Sequence, residues 1–145
     1  MRIATYILLF TTITVSFLEE ANAWTKKVNT NPMGDRYEFV HIEEISQKGM
    51  KTWLLSDCSY QQMIVDGLLN HFKEDKYRYR FDKEKPDFAN PEFSDVEAFH
   101  FKYSLVSRMK KHESLIVEFY TYDKKRDFVT YSLTDFTSAY NQLKC

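Results

Sequence analysis

Two cysteines, Cys58 in mid-chain and Cys145 at the last position, constrain this 145-residue chain more than any other feature. Pairing them would close a loop of roughly 88 residues, a restriction of the unfolded chain worth about 4 to 5 kcal/mol in a simple entropy treatment. That is a large share of the stability of a small domain. Whether they pair depends on the redox compartment, and the N-terminus bears on that. Arg2 precedes an apolar run from Ile3 to Phe17, then come Glu19 and Glu20, then Ala21-Asn22-Ala23. A basic start, a greasy middle and a small-x-small end is the order that signal peptidase reads. The run is about 15 residues, short of the roughly 20 that a helix needs to cross a bilayer. Residues 1–23 are therefore expected to be a cleaved export signal, and residues 24–145 a single domain that is periplasmic or secreted. In that oxidising setting an even cysteine count points to a Cys58–Cys145 disulfide. The alternatives, a thiolate nucleophile or a metal ligand, need partner residues that the sequence does not place nearby.

Charge narrows the partners. Removing residues 1–23 takes away one basic side chain, Arg2, and two acidic ones, from chain totals of 20 and 21, so the remainder carries no net charge. A neutral domain has no bulk field to attract nucleic acid or anionic lipid. The expected partner is a protein or cell-envelope component, with no nucleic acid and no membrane insertion once the signal is gone.

Hydrophobic periodicity sets the fold class. Tyr37 to Glu43 alternates apolar with polar residues at period two, Lys51 to Cys58 reads as a second strand, and the turn Gln47-Lys48-Gly49-Met50 between them predicts a hairpin. Gln61 to Val65 reads as a further strand turning at Asp66-Gly67. Lys76 to Asp82 alternates most clearly, with Tyr77, Tyr79 and Phe81 on one face and Lys76, Arg78 and Arg80 on the other. Asn29 to Asp35 favours turns. Lys85 to Ser94, with Pro86, Asn90 and Pro91, is expected to be a surface loop. Val96 to Met109 reads as a strand giving way to a short helix over Leu105 to Lys111. Ser114 to Tyr122 and Phe128 to Leu133 form a second hairpin around a charged turn, Asp123 to Asp127. Thr134 is placed to cap a final helix whose apolar face is Phe136, Ala139, Tyr140 and Leu143. The expected fold is mainly β in the α+β sense. It is a small antiparallel, sandwich-like domain with a short mid-chain helix and a C-terminal helix tied back by the disulfide.

Short motifs spread through the chain carry a family resemblance: Trp24 after the signal, Asn31-Pro32-Met33, Leu54 to Cys58, Tyr79-Arg80-Phe81-Asp82, and Leu133-Thr134-Asp135-Phe136 through Leu143-Lys144-Cys145. In this order they resemble the VasI/TagO type of small exported protein, which accompanies type VI secretion loci. The resemblance implies a disulfide-closed, β-rich periplasmic domain. It carries over no catalytic residues.

The chain offers little that reads as catalytic chemistry. His41, His71, His100 and His112 are scattered without metal-ligand spacing, and Gly34, Gly49 and Gly67 stand alone rather than in a phosphate-cradling loop. No Gly-x-Ser-x-Gly elbow exists. No enzyme activity, metal or cofactor is expected. The informative constellation is the polar face of the Lys76 to Asp82 strand, where alternate cations stand about 6 to 7 Å apart. Arginine forks at that spacing suit a carboxylate or phosphate on a partner. Arg78 and Arg80, with Tyr77 and Tyr79, are the candidate binding residues. A second basic group, Arg108, Lys110 and Lys111, is explained by the end of the mid-chain helix. The 10 Tyr and 12 Phe exceed what so small a core hides, which also favours a partner surface. The sequence thus reads as an exported, non-enzymatic binding or accessory module of the cell envelope or a secretion apparatus. The alternative is an inhibitor or immunity protein that occludes an enzyme's cleft, with Lys85 to Ser94 as its plug.

Overall fold

The structure, a computed structural model, describes residues 23–123 and 125–145. The expected export signal, apart from Ala23, lies outside the described residues. Ten strands are described: β1 (Thr25–Thr30), β2 (Arg36–Ile45), β3 (Lys51–Ser56), β4 (Gln61–Val65), β5 (Arg78–Phe81), β6 (Asp87–Phe88), β7 (Pro91–Asp95), β8 (Ala98–Phe101), β9 (Ser114–Thr121) and β10 (Lys125–Ser132). A 3₁₀ helix spans His71–Lys76, and two short helices follow, α1 (Val106–Met109) and α2 (Phe136–Tyr140). They form two antiparallel sheets, a larger one in the order β1-β2-β3-β4-β8-β7 and a smaller one in the order β10-β9-β5-β6.

Alternation at period two decides which side chains enter the core. Leu54, Met63 and Phe99 from the larger sheet meet Phe81, Val117 and Tyr131 from the smaller in one buried cluster. Aromatic edges stitch the layers together: Tyr77 meets Phe99 at 5.3 Å between ring centroids, and Tyr79 meets Phe101 at 5.7 Å. The Tyr131 hydroxyl crosses the interior to donate to Thr52 Oγ1 at 2.7 Å, so even the polar end of that buried ring is satisfied. The β2–β3 turn reaches over to the edge of β10. There the Gln47 amide donates to the Phe128 carbonyl at 2.8 Å, and buried Asp127 accepts from Ser46 Oγ at 2.6 Å and the Lys48 amide at 3.1 Å. Gly49 closes that turn at φ +83, a left-handed backbone that glycine adopts without strain.

The Cys58–Cys145 disulfide is present, joining the end of the chain to the segment just past β3. Tail and sheet are further tied by the Lys26 ammonium, which donates to the Gln142 carbonyl at 2.9 Å. Trp24 packs edge-on against Phe136 at 4.9 Å and donates from Nε1 to the Ser132 carbonyl at 2.8 Å.

Several local expectations are corrected. Residues 25–30 form a strand rather than leading into a turn at Asn29; it is an edge strand, largely exposed, so it carries no apolar alternation. The expected loop Lys85 to Ser94 contains β6 and most of β7. Pro91 is tolerated because β7 is the outer strand of its sheet, where a missing amide costs no ladder bond. Tyr77 ends the 3₁₀ helix, so the arginine strand begins only at Arg78. β10 starts at Lys125, which shortens the charged turn and turns Asp127 inward. Thr134 does not cap α2: Asp135 holds that position without a side-chain cap bond, and the Thr134 hydroxyl pairs with that of Ser132 at 3.1 Å.

A candidate binding cleft on the smaller sheet

The outer face of the smaller sheet is built by strand register. Arg78 stands opposite Glu118 of β9 and Phe88 of β6, and Arg80 stands opposite Ile116. On the far side of β9, Glu118 and Ile116 face Phe128 and Thr130 of β10. Alternate residues of three strands therefore share one surface. A cleft of about 310 Å³ lies there, lined among others by Gln47, Arg78, Arg80, Ile116, Phe128 and Thr130.

The two candidate arginines have different roles. Arg78 donates from Nη2 to Glu118 Oε2 at 2.7 Å, and that carboxylate, only 6% exposed, also accepts from the Tyr120 hydroxyl at 3.3 Å. The hydrogen bond and charge of Glu118 raise the Arg78 pKa further above its ordinary value. Arg78 is thus committed to compensating a buried carboxylate, which would otherwise be strongly destabilising. Arg80 is half-buried and, among the described residues, makes no ion pair or side-chain hydrogen bond. Arg126 on β10 is exposed, lies 5.5 Å over the Phe128 ring and is also without an ion pair. Two open guanidinium groups around an apolar floor of Ile116 and Phe128 favour an anionic group carried on a partly apolar partner.

Of the two tyrosines, Tyr79 lines the cleft but turns its ring away from it, and Tyr77 does not line it. Tyr77, expected among the binding residues, is fully buried, and its hydroxyl donates to the Tyr120 carbonyl at 2.8 Å. Its ring fills the space between the sheets, and burial raises its pKa. The Tyr79 side chain alternates to the inner face, where Phe101 and Arg108 cover it; the Arg108 guanidinium lies 5.6 Å over its ring and donates to its hydroxyl at 3.4 Å. Neither ring presents itself beside Arg80.

Sequence reasoning missed a second polar cluster because its members lie about 30 positions apart. Asp82 accepts from His112 Nδ1 at 2.9 Å, the Ser114 amide at 2.8 Å and Ser114 Oγ at 3.1 Å. Arg108 bridges Glu84 at 2.6 Å and Asp87 at 3.1 Å while lying 4.5 Å over Phe81. These contacts occupy Arg108 and tie Glu84 and Asp87 of the segment around β6 to α1. The Asp82 carboxylate is held below its usual range, first by the His112 hydrogen bond. Ser114 bonds to the carboxylate rather than to the imidazole, so the three groups do not line up as a nucleophile and its base. His100 pairs with Glu92 at 2.8 Å, and His71 stacks on Phe93 at 4.0 Å. Among the described residues no three His, Cys, Asp or Glu side chains are grouped to hold a metal ion, and no helix is long and apolar enough to cross a membrane.

Compared with protein families, curated proteins and solved structures, the chain finds no match.

Proposed function

We propose that the protein is a non-enzymatic, exported binding module of the cell envelope that holds a carboxylate-bearing partner in the cleft of the smaller sheet. The observation that carries this reading is Arg80, a half-buried guanidinium with no ion pair, set beside an arginine already neutralised by Glu118. Arg80 supplies the bidentate fork, Arg126 adds charge at the rim, and Ile116 and Phe128 supply apolar contact. In the setting that the VasI/TagO resemblance implies, the partner belongs to a secretion apparatus or its envelope anchorage. A toxin gene beside this one on the chromosome would transfer the same surface to an immunity role.

The test uses charge reversal at positions that the fold does not need. Arg80→Glu and Arg126→Glu proteins, folded and with the disulfide closed, are compared with wild type for capture of envelope components. The expected result is loss of the captured partner with Arg80→Glu and weakened capture with Arg126→Glu. Equal capture by all three proteins removes this cleft from the binding surface. Arg78→Glu is a poor probe, because it sets a second carboxylate against Glu118 and disturbs the sheet itself.

A further inference from the structure

Away from the cleft, exposed apolar side chains gather at the pole of the molecule where turns of both sheets meet. Leu68, Val96 and Tyr122 are each about half exposed, and Phe72 is 85% exposed. Their order across the surface is set by backbone hydrogen bonds. The Leu69 amide donates to the Val96 carbonyl at 2.8 Å, and the Tyr122 amide donates to the Leu68 carbonyl at 3.3 Å. The Val65 amide donates to the Glu97 carbonyl at 2.9 Å and the Asn70 amide to the Tyr120 carbonyl at 2.8 Å, which clamps both flanks. The apolar strip is therefore held by a paired backbone and is not the tip of a loose loop.

Charge is distributed unequally along the strip. At the Val96 end stand Asp66, Asp95 and Glu97, all exposed, and none makes an ion pair among the described residues. At the Tyr122 end stand Lys125 and Arg126, exposed and unpaired in the same sense, against one exposed carboxylate, Asp123. An apolar strip with opposite charges at its two ends is complementary to itself when turned through a half rotation. Each acidic end then meets a basic end, and the central Leu68 side chains meet each other.

We propose that this pole is a twofold docking surface for a second copy of the chain. Burying the strip removes four large side chains from water, and the paired ends set the antiparallel orientation. The surface shares Arg126 with the rim of the Arg80 cleft but does not include Arg80, Ile116 or Phe128, so the dimer presents two copies of that cleft to a multivalent partner.

Sedimentation of the folded, disulfide-closed protein over a wide concentration range tests this. Wild type is expected to move from monomer toward dimer as concentration rises, and Leu68→Ser combined with Val96→Ser is expected to stay monomeric. Glu97→Lys and Lys125→Glu are each expected to weaken association about tenfold or more, whereas both reversals in one chain restore it, because the reversed ends again face opposite charges. Tyr103→Ser, at an exposed position beyond the far end of β8, serves as the control and leaves association unchanged. Near-ultraviolet dichroism checks that each variant is folded. A wild type that remains monomeric throughout overturns the proposal. So does association that survives the Leu68→Ser, Val96→Ser change, or a double reversal no better than its parents, either of which would place the contact elsewhere.

Discussion

Asp127 and His41 mark two ways in which single side chains shape this protein. Asp127 is fully buried and accepts from Ser46 Oγ and the amides of Lys48 and Phe128, so it ties the turn of one sheet to the edge of the other. Asp127→Ala leaves those donors without an acceptor and is expected to lower unfolding free energy by about 2 to 3 kcal/mol. Denaturant melts at neutral pH measure this directly, and a loss below that of an ordinary surface substitution would contradict the assignment. His41 is half-buried, and its Nε2 has no hydrogen-bond partner. Burial first, and the nearby Lys27 second, hold its pKa below the usual imidazole value. The unfolded chain accepts a proton at about pH 6.5, where the folded chain still refuses it. Stability is therefore fully present above that value and is lost as the pH falls below it. The urea midpoint is expected to be lower at pH 5.5 than at pH 7.5, and His41→Gln is expected to flatten that slope. Asp82, whose carboxylate is held low, adds a further loss only in more acid solution, below the ordinary aspartate range. A midpoint unchanged between the two pH values would remove the His41 argument.

Among the elements, those with one face in the core and one in water were legible. β3 and β4 bury every second residue, as in the pattern from Gln61 to Val65, while β2 and β9 were legible from their apolar and β-branched content although each buries two or three successive residues. β1, β6 and β7 were not, because an edge strand needs only one ladder of backbone bonds and leaves little trace in side-chain pattern. α1 and α2 were foreseen but overextended, and the 3₁₀ helix His71–Lys76 was not foreseen. α2 has only five residues, too few to persist without tertiary support. Phe136 in the core and the disulfide at Cys145 supply that support. Replacing both cysteines by serine is expected to lower stability by about 4 kcal/mol, given the 87-residue separation. Protection from hydrogen exchange should fall first in residues 136–145. A thermal midpoint equal to that of wild type would mean that the tail is held by packing alone.

At the scale of the whole molecule the two sheets share one interior. Tyr131 with Thr52 and Tyr79 with Phe101 join side chains from opposite layers, so neither sheet has a core of its own. Unfolding is expected as a single transition, with near- and far-ultraviolet dichroism changing together. Separate transitions would divide the chain into two units. What the sequence by itself determined was the strand-rich class, the chain-closing cysteine pair, and the sharing of one strand face by Arg78 and Arg80, since each follows from local periodicity or counting. Only the tertiary structure decided that Arg78 is spent on Glu118 while Arg80 is open, that Tyr77 and Tyr79 lie on the inner side, and that Leu68, Val96 and Tyr122 meet at one pole. Those outcomes depend on which segments become neighbours across separations of about 20 to 55 residues, and pairing at that range is a property of the packed whole that no local stretch of sequence encodes.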